Sequence, residues 1–107
     1  MESLKKNKDF QKIFNRGKRV FSPSLTLLYF PSDKLTMGIC VSKKHGKAHV
    51  RNRIKRLVRA SFSQTCKKLD GNYCIVILPK VAEEYTYKSF EKSLNYCFGK
   101  INLCAKD

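Results

Sequence analysis

The chain has 107 residues, 42% of them apolar, and its 23 Lys and Arg against 8 Asp and Glu give a formal net charge of +15. That length suits one compact domain over residues 1–107, and the apolar share excludes a disordered chain and supports a real core. A charge so large for the size repels itself and points to a polyanionic partner, while no apolar run approaches the ~20 residues of a membrane span and the N-terminus lacks the hydrophobic region of a signal peptide, so a cytoplasmic protein is expected.

In chain order, Asn7 can cap a helix over residues 8–16 that Gly17 ends, with Phe10, Ile13 and Phe14 on one face. Residues 19–21 read as a short strand and residues 24–30 as a longer one. In the latter, Leu25, Leu27 and Tyr29 alternate with Thr26, Leu28 and Phe30. Turn chemistry follows in Pro31, Ser32, Asp33 and Lys34. Residues 37–42 form a further strand, with Met37, Ile39 and Val41 opposed to Gly38, Cys40 and Ser42, and its closeness to the previous strand predicts a hairpin. Gly46 keeps residues 43–48 in a loop or single turn, and a long helix is expected over residues 50–68. Asp70, Gly71 and Asn72 stop it. Residues 73–78 are a continuous apolar strand of the kind buried on both faces. Pro79 ends that strand. Thr86 can cap a last helix to residue 100, with Phe90, Leu94, Cys97, Phe98 and Ile101 as its core stripe.

The order is α-β-β-α-β-α with the short strand added, an α+β sandwich of one sheet against helices. Strand, long helix and strand make a crossover, which the general rule renders right-handed if the strands are parallel. The cysteines at 40, 66, 74, 97 and 104 are odd in number and lack Cys-x-x-Cys spacing. They read as small buried hydrophobes in a reducing compartment, and no disulfide framework or metal site is expected.

From Lys43 to Arg59 there are eight Lys or Arg and no acid, and no acid at all between Asp33 and Asp70. With Ile54 at the centre of the buried face, Val50, Leu57, Val58 and Phe62 line that face, while Asn52, Arg53, Lys55, Arg56 and Arg59 spread over the opposite one and Arg51 sits at the boundary. A merely solvated helix mixes signs to gain i,i+4 pairs, and this one has no acid to do so. Guanidinium groups suit phosphate, and Asn52 suits a base edge or a 2′-hydroxyl. A basic amphipathic helix can also lie on an anionic membrane, but this apolar side is needed for the core. No catalytic constellation stands out: His45 and His49 have no acid near them, and the acids are few and scattered, with Glu83 and Glu84 adjacent just before the last helix.

The block Gly38-x-x-Val-Ser-Lys-Lys-x-Gly-x-Ala-x-x-Arg-Asn-Arg-Ile-Lys-Arg-x-x-Arg59 resembles the signature of the protein subunit of bacterial ribonuclease P, with Arg51-Asn52-Arg53 as its centre. The run Leu4-Lys-Lys-Asn-Lys-Asp-Phe-Gln-Lys-Ile-Phe-Asn-Arg-Gly17 is similar to that family's first helix, and the strand at Tyr73 and the helix after Thr86 follow in the expected order.

The resemblance implies a single-domain α-β sandwich with a sheet of about four strands, three helices and a left-handed β-α-β crossover, against the general rule. It implies a protein that joins a catalytic RNA, one protein per RNA. Together they remove the 5′ leader of precursor tRNA by phosphodiester hydrolysis. The RNA carries the chemistry and binds most of the Mg²⁺, so this chain is expected to hold no catalytic residue and no metal site of its own. Lys43, Lys44, Lys47, Arg51, Asn52, Arg53, Lys55, Arg56 and Arg59 are then the expected contacts to the catalytic RNA. The leader is expected in a cleft between the sheet and the first helix. Phe10, Phe14 and Tyr29 match its aromatic positions, Lys12 and Arg16 lie nearby with Lys18 and Arg19, and Cys40 stands on its floor where relatives can carry serine. By spacing alone Phe10 and Phe14 are ordinary core. His45 stands where relatives can carry an apolar residue. Two alternatives stay open: a structural RNA-binding protein or RNA chaperone with no role in cleavage, and a protein-only nuclease.

Overall fold

Alternating branched and aromatic side chains produce the strands. The computed structural model describes residues 2–3, 17–69 and 71–106, and the side chains of residues 17–69 and 71–103. Its strands are β1 (Glu2–Ser3), β2 (Lys18–Phe21), β3 (Leu25–Pro31), β4 (Thr36–Ile39) and β5 (Tyr73–Pro79), and its helices are α1 (Ala48–Thr65) and α2 (Tyr87–Lys106). The strands form one sheet in the order β1-β4-β5-β3-β2. The fold is α+β as expected, with four strands of four or more residues, and a two-residue edge pairing of β1 with β4 that local pattern did not announce. The N-terminal helix expected over residues 8–16 lies outside the described residues.

The expected hairpin between residues 24–30 and 37–42 does not form. β3 instead pairs antiparallel with β2 on one side and with β5 on the other, from Leu25↔Pro79 to Pro31↔Tyr73. β4 pairs parallel with β5, from Thr36↔Cys74 to Ile39↔Ile77. The reason is the character of β5. Ile75, Val76 and Ile77 are all fully buried, and a strand apolar on both faces belongs in the middle of a sheet. The turn after β3 is tied to the turn that leads into β5: Ser32 N donates to Asn72 O (3.1 Å) and Asn72 Nδ2 donates to Asp33 O (3.1 Å). The hairpin that does form is β2–β3, closed by the Ser22 amide on Leu25 O at 3.1 Å, with the Ser22 hydroxyl on the same carbonyl.

Both helices cover one face of the sheet. Leu25, Leu27, Tyr29, Met37, Ile75 and Ile77 meet Ile54, Val58 and Phe62 of α1 and the Phe90, Leu94, Cys97, Phe98 and Ile101 stripe of α2, as the periodicity required. Phe62 and Phe98 meet edge to face at 5.6 Å. Buried polar side chains of α1 bond within the helix: Ser61 Oγ donates to Leu57 O (2.9 Å) and Thr65 Oγ1 to Ser61 O (2.8 Å). Thr86 caps α2, accepting from Ser89 N at 3.2 Å. The far ends of the helices are pinned where Asn102 Nδ2 donates to Lys68 O at 2.8 Å. The second face of the sheet carries a separate cluster, with Leu28 and Val76 buried and Phe30, Cys40, Cys74 and Leu78 packed around them.

Candidate nucleic-acid interface

Helix α1 divides into two faces with opposite tasks. Ile54, Val58 and Phe62 are fully buried, and full burial of such a side chain is worth ~1.5–3 kcal/mol. On the other side Asn52, Arg53, Arg56 and Arg59 are exposed, and Arg51 and Lys55 are half-buried. The like charges at Arg51 and Lys55, and at Lys55 and Arg59, are four apart, and each such pair costs only ~0.2–0.5 kcal/mol. Burial therefore wins, and the cations are held at fixed angles on a rigid element. Arg51 Nε is buried without a hydrogen-bond partner among the described residues.

The segment leading into α1 adds to this surface. Lys43–His45 is one 3-10 turn closed by a capping box with Ser42. Ser42 N donates to His45 Nδ1 at 3.1 Å, so the imidazole proton sits on Nε2, which donates to Pro79 O at 2.6 Å. His45, which has no acid near it in sequence, is thus the pin that fastens this turn to the end of β5. Gly46 follows with φ 125°, and a Cβ there would meet Val50 at 3.3 Å. Only glycine makes this turn at low cost. Lys43, Lys44 and Lys47 are all exposed. The N-terminus of α1 has no side-chain cap and no acid in its first turn, and unmet amides at a helix start favour an anion. Of the nine residues expected to contact RNA, all on α1 or the segment leading into it, seven are exposed and Arg51 and Lys55 are half-buried.

The expected leader cleft is only partly described. Phe10, Lys12, Phe14 and Arg16 lie outside the described residues. Lys18 and Arg19 are exposed on β2. Cys40 sits half-buried on the second face of the sheet, where burial raises its thiol above the ordinary value. Tyr29 does not join it. The register places Tyr29, Ile75 and Met37 in one row and Leu28, Val76 and Gly38 in the next. Tyr29 therefore points into the helix-covered core, only 6% exposed, with its ring edge to face with Tyr73 at 5.7 Å. The aromatic of β3 on the Cys40 face is Phe30, in the row of Cys74 and Thr36. Alternation alone already separated Phe30 from Tyr29. Assigning a face to each needed the pairing through β5.

Among the described residues no group of three His, Cys, Asp or Glu is placed to hold a metal ion, no helix is long and apolar enough to cross a membrane, and Cys40, Cys66, Cys74 and Cys97 are free thiols.

Comparison with known proteins fits this geometry. The family model described as Ribonuclease P matches residues 1–102. The ribonuclease P protein component of Fusobacterium nucleatum is 42% identical over 106 residues, covering 92% of this chain and 95% of that protein. The structure of the Staphylococcus aureus RNase P protein superposes with a TM-score of 0.80 at 30% identity, covering 95% of each chain. That of the Thermotoga maritima RNase P protein gives 0.82 at 28% identity, covering 94% of this chain and 98% of that one.

Proposed function

The chain belongs to the ribonuclease P protein family, and from that membership we propose that it docks on the family's catalytic RNA through α1 and the turn before it, and holds the 5′ leader of precursor tRNA on the second face of its sheet. The observation that carries this reading is the division of α1, with one side buried in the core and the other exposing Asn52, Arg53, Arg56 and Arg59 with no acid among them.

In this reading Arg53, Arg56 and Arg59 bind phosphates as planar donors, Asn52 reaches a base edge or a 2′-hydroxyl, and Lys43, Lys44 and Lys47 extend the charge. Arg51 and Lys55 flank them at the edge of the packed face. Phe10 and Phe14 supply stacking surface for an unpaired leader, Phe30 takes the place first given to Tyr29, Cys40 lies on the floor, and Lys12 and Arg16 follow the backbone. Carried over from the family are the left-handed sense of the β4–α1–β5 crossover, one protein per RNA and action in the cytoplasm. Hydrolysis of the phosphodiester bond belongs to the RNA, which also binds most of the Mg²⁺. The described residues of this chain do not fit a resident metal site, and they are assigned binding and positioning only.

Reconstitution tests this. Catalytic RNA and precursor tRNA at low Mg²⁺ are expected to release the leader faster when the protein is added. No enhancement would return the chain to the class of structural RNA-binding proteins, and cleavage by the protein without the catalytic RNA would make it a nuclease in its own right.

A further inference from the structure

A groove of about 710 Å³ opens at the far end of β2, between the β2–β3 turn, residues 80–85 and the first turns of α2. Its size lies in the roughly 300–1,000 Å³ range of ligand sites. Its walls hold Phe21, Val81, Tyr85 and Tyr96. Phe21 is 65% exposed, Val81 58% and Tyr96 49%, an unusual concentration of large apolar side chains in water for so charged a chain. Tyr85 is fixed: its hydroxyl accepts from Ala82 N at 3.1 Å, and its ring stacks on Phe90 at 6.3 Å with 14° between planes. The floor is polar, with Ser24 Oγ 2.6 Å from Ser93 Oγ and donating to Ser89 O at 2.9 Å. Lys80 and Lys92 line the rim, and Lys100 Nζ lies 5.7 Å from the Tyr96 ring centre. Glu84 is the single acid among the described residues of the lining.

Aromatic walls under a cationic rim are what a nucleotide needs: a ring to stack on and ammonium groups for its phosphate. A wholly apolar ligand would desolvate those ammonium groups without compensation. The groove also adjoins the basic turn, because the His45 ring lies 6.4 Å from the Tyr85 ring and His45 is bonded to Pro79, one residue before Lys80.

We propose that this groove receives an unpaired nucleotide of the same catalytic RNA that docks on α1, its base among Phe21, Tyr85 and Tyr96 and its phosphate toward Lys80 and Lys92. This rests on the reading of α1 as the docking surface, and it adds a second contact on a different part of the fold.

The test is photo-crosslinking of the full chain to catalytic RNA substituted with 4-thiouridine, with binding measured in parallel. Crosslinks to peptides carrying Tyr85 or Tyr96 are expected. Combined Phe21→Ala and Tyr96→Ala substitution is expected to weaken RNA binding about tenfold. Leu103→Ala, equally exposed at 63% and outside the groove, is expected to leave binding unchanged. The proposal is overturned if the RNA binds tightly to wild type with no crosslink in these peptides, if the double variant binds as wild type does, or if these peptides crosslink to substituted precursor tRNA and not to the catalytic RNA. Absence of any binding by the wild-type chain would overturn this inference and the docking reading together. Binding that is lost on Arg53→Ala but not on the groove variant would remove the inference alone.

Discussion

The cationic side of α1 and the second face of the sheet are built by different physics. The first is a row of solvated charges fixed from behind by a dry core, with Ile54, Val58 and Phe62 fully buried beneath Arg53, Arg56 and Arg59. The second is an apolar cluster in which buried Leu28 and Val76 are ringed by the partly buried Phe30, Cys40, Cys74 and Leu78, and in the proposed reading its means of recognition are shape and stacking. A charged row grips any polyanion in a salt-dependent way, whereas a stacking surface distinguishes unpaired from paired strands. On the proposed reading, one small protein thereby carries two RNA surfaces that can be disabled separately.

The largest expected effect comes from removing what holds the charges still. Phe62→Ala empties the space against Phe98 and is expected to cost about 3–5 kcal/mol in chemical denaturation. A loss under 1 kcal/mol would mean that the arginines are not fixed by this core. Next, Arg53→Ala with Arg56→Ala is expected to weaken catalytic-RNA binding by about tenfold or more per residue. It is also expected to lower the slope of log affinity against log salt by about 2. An unchanged slope would show that these side chains meet no phosphate. Gly46→Ala forces a side chain into φ 125° and against Val50. A cost of about 1–3 kcal/mol is expected, seen in RNA affinity at the turn while leader discrimination holds. The smallest effect concerns Cys40. Burial raises its thiol, so less thiolate is present at pH 8 than in a free cysteine, and alkylation is expected to be slow and to quicken as the pH rises past 9. Precursor tRNA should slow it further and catalytic RNA alone should not. Equal protection by both would merge the two surfaces into one.

Much of this was legible in the sequence because the signals are local. The spacing of Val50, Ile54, Val58 and Phe62 was enough to orient α1, and the lack of acids from residue 34 to residue 69 was enough to mark its outer face as wholly cationic. Alternation separated Tyr29 from Phe30 and Met37 from Cys40 in the same way. The central position of β5 was not legible as a pairing. Turn residues after β3 suggested a hairpin, but β5 enters from some forty residues away in sequence and separates β3 from β4. The same gap misplaced Tyr29, since the face shared by β3 and β4 is defined only through β5. The anchoring role of His45 was not legible, because its partner Pro79 lies 34 positions on. The groove at Phe21, Tyr85 and Tyr96 left no motif for the same reason.

The separation of the two surfaces is tested most directly by the ratio of affinities for precursor and mature tRNA, measured in the assembled ribonucleoprotein with wild type, Arg53→Ala/Arg56→Ala and Phe14→Ala. The ratio is expected to stay at the wild-type value in the arginine variant, once enough protein is present to saturate the RNA. In Phe14→Ala it is expected to fall by about fivefold or more, the loss of roughly one stacked base. A ratio that falls in the arginine variant, or equal weakening of both tRNAs by Phe14→Ala, would contradict the assignment of leader recognition to the sheet and of docking to the helix.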